Sequence, residues 1–212
     1  MTPDRKPPMN IPNIAQCVAY MEEFAMYANI RDHSFMVAKA ASALLEGLKR
    51  ADRVESPLPP DDLVIAGALL HDIAKTLCLK ENCRHAEVGQ EICRDLGYPE
   101  VGEIVGEHVV LSDFSIDRYH RGIFTAGELV YYADKRVRHD VIVPLDSRLA
   151  YILERYGEND PVREKMIVTN FRRCQELERH LFEFLDYQPE ELPRFLPTDL
   201  SGAREELSRS FL

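Results

Sequence analysis

The chain has 212 residues, enough for one domain that buries most of its apolar surface. Acidic residues outnumber basic ones, and the formal net charge of −10 disfavours non-specific binding to nucleic acids. An acidic surface does not attract anionic molecules, so any phosphate recognition has to come from local basic groups. The sequence has no Gly-rich phosphate-binding motif, which disfavours a kinase or a P-loop ATPase.

The N-terminal residues are rich in proline, and we expect residues 1–12 to be flexible. They contain no apolar segment, so neither a signal peptide nor a membrane anchor is expected there. The five cysteines form no C-x-x-C pair. An odd number of cysteines without a signal peptide predicts reduced thiols in a cytoplasmic protein, and a metal-binding role for Cys78 and Cys83 stays open.

Apolar residues recur with a period near 3.6, and strict alternation of apolar and polar residues is absent, so the chain is predicted to be all-α. Residues 13–158 are predicted to form a helical core, and residues 159–212 a helical extension packed on the same domain. Residues 112–123 are predicted to be a polar loop. The predicted helices cover residues 13–30, 32–52, 84–96, 99–111 and 161–186, and others begin near 61, 126 and 145.

The segment Leu63–Leu70 is apolar on every side, which predicts a buried central helix. It ends at His71-Asp72. Two buried polar groups must be paired, hydrogen-bonded or bound to a metal, because burying them bare is costly. Imidazole beside carboxylate suits a hard or borderline divalent ion. In a continuing helix, Lys75 would lie over the same spot.

Three more histidines and one aspartate lie on apolar stripes of predicted helices. Mutual hydrogen bonds alone would hardly satisfy so many inward polar groups, whereas a metal cluster satisfies them together. His120 and His139 lie in polar surroundings, and His180 lies in a charged helix, so these three are not expected to be ligands. The inward set is His33, His71, Asp72, His85, His108 and Asp134.

This order of histidines and aspartates resembles the HD-domain superfamily of metal-dependent phosphohydrolases, over roughly residues 30 to 140. The segment from Ala68 to Lys75 resembles the central signature of the family, in the subgroup with Lys three residues after the Asp. The segment from Tyr131 to Lys135 resembles the segment with its last ligand. The resemblance implies a helical bundle in which the His-Asp motif ends a buried central helix.

The resemblance also implies a metal site. One divalent ion would bind His33, His71, Asp72 and Asp134, and a second ion, bridged by Asp72, would bind His85 and His108 as in the dinuclear branch. The expected metal is Mn, Fe, Ni, Co or Zn, with Mg as an alternative.

The residues near the central motif bear on three branches of the superfamily. The central motif is followed neither by Gly-Tyr-Pro, which argues against the cyclic-di-GMP branch, nor by a Glu-Asp pair, which argues against the guanosine tetraphosphate hydrolases. The layout is also similar to the bacterial diadenosine tetraphosphate hydrolases, although Val109 stands where they usually have Thr.

The resemblance implies that the protein hydrolyses a phosphate ester or anhydride of a nucleotide, and that the attacking water is activated by the metal. Asp72 and Lys75 are the expected catalytic residues. A di-iron oxygenase on the same ligand set and a non-catalytic signalling module are the alternatives.

The long helix from residue 161 has an apolar stripe that indicates core packing, with a homodimer seam as the alternative. The candidates for phosphate contact are Arg31, Arg84, Lys135 and Arg148.

Overall fold

The computed structural model of the chain describes residues 9–55, 57–198 and 200. Within these residues it contains ten α-helices, one two-stranded sheet and a 3-10 helix, which confirms the all-α prediction. Residues 1–8 of the segment predicted to be flexible (1–12) and the end of the predicted extension, residues 201–212, lie outside the described residues. The helices are α1 (Ile14–Glu23), α2 (Ala28–Arg50), α3 (Asp61–Leu70), α4 (Lys75–Glu81), α5 (His85–Asp95), α6 (Pro99–Glu107), α7 (Ile116–His120), α8 (Ala126–Arg136), α9 (Leu145–Tyr156) and α10 (Pro161–Phe182), and the 3-10 helix is Pro189–Phe195.

The boundary between the first two helices lies earlier in the chain than the sequence predicts. Asn13 caps α1 through a capping box, but the helix ends at Glu23 instead of continuing to residue 30. Ala25 has a φ of 49°, a left-handed conformation that interrupts a right-handed helix. As a result α2 begins at Ala28 and carries His33 in its second turn.

Helix α3 lies at the centre of the molecule, as predicted. Most of its residues are buried, and it packs against α1, α2, α6 and α8. Gly67 permits the close approach of α6, because a Cβ at this position would lie 2.8 Å from the side chain of Ile104. This packing places the C-terminal end of α3, and the His-Asp pair that follows it, inside the protein.

The chain does not continue as one helix beyond His71. Residues 71–74 form a turn and α4 begins at Lys75. The Lys75 amide still donates to the Asp72 carbonyl at 2.9 Å, so the two residues remain neighbours. The predicted capping box of Thr125 and Glu128 is present and opens α8, the helix that carries Asp134.

Two elements were not predicted. Within the predicted loop 112–123 lies the short helix α7, and α8 is followed by a hairpin of β1 (Val137–Arg138) and β2 (Val141–Ile142). The antiparallel register pairs Val137 with Ile142. His139 has a φ of 57° in the hairpin turn, which lets the chain reverse over two residues.

Helix α10 packs against α8 and α9, so its apolar stripe belongs to the core of the chain. It ends at Phe182, earlier than the predicted residue 186. The buried members of the stripe are Phe171, Cys174, Leu177 and Leu181.

The cysteines differ from the prediction. Cys78 and Cys83 form a disulfide, so the expectation of reduced thiols is wrong for this pair. Asn82 adopts a left-handed conformation at the end of α4, which turns the chain back and brings the two Cα atoms to 4.6 Å. A disulfide offers no thiolate for a metal. The remaining cysteines, Cys17, Cys93 and Cys174, are free and buried.

Candidate metal centre

The first ligand group consists of His33 from α2, His71 and Asp72 from the end of α3, and Asp134 from α8. The His33 Nε2 lies 3.0 Å from the Asp134 Oδ1. The His71 Nε2 lies 3.4 Å from the Asp72 Oδ2 and 3.8 Å from the Asp134 Oδ1. Four side chains that are far apart in the sequence therefore meet at one point.

The second ligand group consists of His85 at the start of α5, His108 directly after α6, and again Asp72. The Asp72 Oδ1 lies 3.3 Å from the His85 Nε2 and 3.5 Å from the His108 Nε2. The two Nε2 atoms are 3.1 Å apart. Because Asp72 directs one oxygen to each group, its position is that of a bridging carboxylate.

Backbone carbonyls orient three of the imidazole rings. Each ring directs its Nδ1 to a carbonyl oxygen, and this places a hydrogen on Nδ1 and leaves the Nε2 lone pair for the site. Histidines that bind metals are commonly held in this way. The distances are 2.9 Å from His33 to the His139 carbonyl, 2.7 Å from His71 to the Ala68 carbonyl and 2.6 Å from His108 to the Val105 carbonyl.

Two buried atoms at this point have no hydrogen-bond partner among the described residues, the His71 Nε2 and the Asp72 Oδ1. Leaving such atoms unpaired costs about 1–3 kcal/mol each. A divalent ion bound at about 2.1 Å places adjacent ligand atoms about 3 Å apart, close to the separations here. The donor atoms of His33, His71 and Asp72, and those of Asp72, His85 and His108, each lie within 4.8 Å of one another. Both sets of residues therefore fit a divalent ion.

The electrostatics favour the protonation states that metal ligands need at Asp72, Asp134 and His108, whereas at His71 burial lowers the pKa but the neighbouring carboxylates raise it by more. Burial raises the pKa of Asp72, but the positive charge of Lys75 and the contact with His71 lower it by more, so the pKa is well below its usual value. Burial also raises the pKa of Asp134, and Lys135 and His33 bring it well below the usual range. Burial lowers the pKa of His108 to about 4. Near neutral pH the two carboxylates are charged and His108 is neutral.

Lys75 lies between Asp72 and solvent. Its ammonium donates to the Asp72 Oδ2 at 2.6 Å, and its side chain is 28% exposed whereas that of Asp72 is 1% exposed. Burial lowers the pKa of Lys75, but the carboxylates of Asp72 and Asp134 raise it more. A protonated ammonium has no lone pair, so Lys75 is not a ligand.

A cavity of about 490 Å³ opens beside both ligand groups. Its size is in the range of small-molecule sites. Asp72, Lys75, His85, His108 and Asp134 line it from the side of the ligands. The other lining residues are Cys78, Leu79, Asn82, Cys83, Val109, Lys135, Arg148, Ile152, Tyr156, Ile167, Asn170 and Phe171.

The four residues predicted to contact phosphate divide into two pairs. Lys135 and Arg148 line the cavity, whereas Arg31 and Arg84 do not. The Arg84 side chain is 82% exposed and pairs with Glu87. The structure therefore does not bring Arg31 and Arg84 to the site.

The two basic residues in the cavity have different environments. The Lys135 ammonium donates to the His108 carbonyl at 2.6 Å and to the Asp134 Oδ2 at 3.2 Å, so it supports both ligand groups. The Arg148 guanidinium lies 5.4 Å from the ring centroid of Tyr151 and contacts no carboxylate in the part of the chain that the structure describes. Although it contacts no carboxylate there, Arg148 is buried, with only 9% of its surface exposed.

Sequence reasoning missed the apolar residues of the cavity. Ile152 and Tyr156 follow Arg148 at intervals of four residues, a spacing that places all three on one face of α9. That spacing was visible in the sequence, but only the packed fold shows that this face borders the ligand groups. Ile167 and Phe171 on α10 line the same cavity.

The remaining histidines lie outside both ligand groups. His120 and His139 are exposed, as predicted from their polar neighbours. His180 is fully buried, with its ring 5.7 Å from that of Tyr119 and 5.0 Å from that of His120.

Comparison with known proteins identifies the family of the chain. A family model described as "HD domain" matches residues 30–138, slightly more than half of the chain. The matched segment contains every residue of both ligand groups. Searches of curated proteins and of solved structures gave no match. No helix among the described residues is both long and apolar enough to span a membrane. The chain therefore belongs to the HD-domain superfamily of metal-dependent phosphohydrolases.

Proposed function

We propose that the protein is a metal-dependent hydrolase of a small phosphorylated molecule, a phosphate ester or anhydride of the nucleotide class. The observation that supports this most strongly is the pair of unpartnered buried atoms, the His71 Nε2 and the Asp72 Oδ1, beside an open cavity. A site that served only to stabilise the fold would be expected to satisfy these atoms internally.

In this proposal His33, His71, Asp72 and Asp134 hold one divalent ion, and Asp72, His85 and His108 hold a second. Bound ions of this kind polarise phosphoryl oxygens and lower the pKa of a coordinated water. The imidazoles orient the site through their backbone hydrogen bonds, and Asp72 sets the distance between its two halves.

The basic residues supply the remaining charge. Phosphate hydrolysis develops negative charge on the phosphoryl oxygens and on the leaving oxygen, so positioned cations stabilise the transition state. We assign Lys75 to the phosphoryl group or the leaving oxygen, because its ammonium lies at the cavity and 2.6 Å from Asp72. We assign Arg148 to the phosphoryl oxygens, because its guanidinium contacts no carboxylate among the described residues.

The test is hydrolysis, followed by chromatography of the nucleotide products and by phosphate release from the monoesters, by protein loaded separately with Mn²⁺, Fe²⁺, Co²⁺, Ni²⁺, Zn²⁺ or Mg²⁺. The substrates are nucleotides, dinucleoside polyphosphates and cyclic dinucleotides. We expect metal-dependent turnover of at least one of them and its loss, together with bound metal, in Asp72→Ala. The control is Asp140→Ala, which changes an exposed aspartate outside the centre. Absence of turnover with every metal would contradict the proposal.

The same preparations distinguish the two alternatives. A di-iron oxygenase would retain iron and consume oxygen with a small organic substrate, without phosphate release. A signalling module would bind metal or ligand without turnover of any kind. The convergence of all six ligand residues favours an enzyme over a module that has lost its ligands.

A further inference from the structure

The wall of the cavity formed by α9 and α10 is largely apolar. Ile152 and Tyr156 on α9 and Ile167 and Phe171 on α10 line it. From Arg148 to Tyr156 the stripe on α9 rises about 12 Å along the helix axis. The site therefore offers an extended apolar surface next to the ligand groups, long enough for a ring-containing organic group.

The cations of the cavity are few and mostly engaged. Among the described residues, the cations that line it are Lys75, Lys135 and Arg148. Lys75 contacts the Asp72 carboxylate, and Lys135 contacts the Asp134 carboxylate. Arg148 alone contacts no carboxylate in the described chain. A substrate with several phosphates would place its additional charges against apolar side chains, and the desolvation of those charges would be costly.

We propose that the substrate is a phosphate monoester with a single phosphate and a flat, apolar or aromatic leaving alcohol that packs against the α9–α10 wall. This inference rests on the proposed hydrolase function and narrows its substrate class. The water oxygen forms the new bond to phosphorus and the ester P–O bond breaks. The leaving oxygen takes up a proton, and the products are the alcohol and inorganic phosphate.

Binding measurements test the wall without turnover. Isothermal titration calorimetry of the Mn²⁺-loaded protein compares benzylphosphonate with ethylphosphonate, which have the same phosphonate group but differ in the ring. We expect the benzyl compound to bind about tenfold more tightly, because its ring is removed from water. Equal affinities would overturn the inference.

Two variants locate the effect. Tyr156→Ala and Ile167→Ala are each expected to weaken the binding of benzylphosphonate more than that of ethylphosphonate, so that the preference for the benzyl compound falls by roughly threefold or more. The matched controls are Tyr27→Ala and Met166→Ala, since these residues are 45% and 68% exposed and do not line the cavity. An unchanged preference in both wall variants would place the aromatic group elsewhere and contradict the inference.

Kinetics complete the test and separate this inference from the proposed function. We expect kcat/KM to be higher for a nucleoside monophosphate, or for an aryl phosphate, than for the corresponding nucleoside triphosphate or for pyrophosphate. A higher kcat/KM for the triphosphate would leave the hydrolase function standing and overturn the inference about the substrate. Absence of phosphate release from all of these compounds would overturn the inference about the substrate, and absence of hydrolysis of the dinucleoside polyphosphates and cyclic dinucleotides as well would overturn the proposed function.

Discussion

The two oxygens of Asp72 face different partners. Its Oδ1 faces His85 and His108, and its Oδ2 faces His71 and Lys75. The side chain is 1% exposed, so these contacts form in a region of low dielectric constant, where an unpaired carboxylate would be expensive to bury. This residue therefore connects both ligand groups to Lys75, which lines the cavity.

Lys75 provides a test that separates catalysis from metal binding. In Lys75→Ala we expect metal content and far-UV circular dichroism to stay as in the wild type, because the ammonium is not a ligand. Turnover is expected to fall about 10²-fold or more, the range for a positioned acid or electrostatic group. The control is Lys80→Ala on the same helix, where the side chain is exposed. Full activity in Lys75→Ala would show that this lysine only pairs with Asp72.

His108 makes the stability of the metal-free protein depend on pH. Its pKa is lowered to about 4 in the folded state from the ordinary value of 6.5. As the pH falls, the unfolded chain therefore takes up a proton on His108 before the folded chain does. The free energy of unfolding decreases as the pH falls from 6.5 towards 4. The pKa of His71 is raised and those of Asp72 and Asp134 are lowered, so their contributions change outside this window.

Between pH 6.0 and pH 4.5 we expect the free energy of unfolding to fall by about 2 kcal/mol more in the metal-free wild type than in His108→Asn. Urea denaturation of both proteins at the two pH values measures this difference. Parallel pH dependence of the two proteins would mean that His108 is not buried neutral.

The predictions of burial for single residues were confirmed where they depended only on the neighbouring residues in the sequence. His33, His71 and His108 were expected to face inward because their apolar neighbours mark the buried side of a helix, and they lie there. Lys135 illustrates the limit. The sequence marks it as a cation near the site, but only the packing reveals that its ammonium is engaged with the His108 carbonyl.

At the scale of elements, α4 and the short segment after it join Lys75 to His85. The disulfide between Cys78 and Cys83 closes the segment between them, and both cysteines line the cavity. Cys83 is exposed, whereas Cys78 is only 7% exposed. Reductants can therefore reach the disulfide from the side of Cys83. The element that carries Lys75 is therefore held to the start of α5.

Removing this disulfide is expected to lower stability. A cross-link across so short a loop stabilises by about 2 kcal/mol in the chain-entropy model, so Cys83→Ser should lose about that amount. Urea denaturation with and without dithiothreitol measures it. The wild type should lose the same amount on reduction, and the variant should not respond to the reductant. A wild type that is insensitive to the reductant would show that the bond does not form in solution.

At the scale of the whole molecule, the candidate metal centre brings together residues carried by α2, α3, α5, α6 and α8 or by the segments directly after them. The buried core continues from these helices into α10 and as far as Leu192 and Leu200. We propose that the described part of the segment 159–212 belongs with the core of residues 13–158 as an extension, because α10 also completes the cavity wall.

Metal binding is expected to stabilise the whole fold, since its ligands come together only in the native state. The loaded protein should contain about two equivalents of metal and unfold at a higher temperature than the metal-free protein, whereas His108→Ala should retain about one equivalent. Metal analysis and calorimetry measure both quantities. The control is His120→Ala, an exposed histidine outside the ligand groups. One equivalent in both the wild type and His108→Ala would contradict a dinuclear centre.

The sequence by itself determined the helical class, the buried α3 and the burial of His33, His71, Asp72 and His108, because periodicity and neighbouring side chains report which face of a helix is buried. The break at residues 71–74, the Cys78–Cys83 bond and the apolar wall of α9 and α10 were decided by the tertiary structure. The physical reason is that periodicity identifies a buried face but not the element that covers it. Contacts between distant segments depend on how all the helices pack together, and that information lies outside any single stretch of sequence.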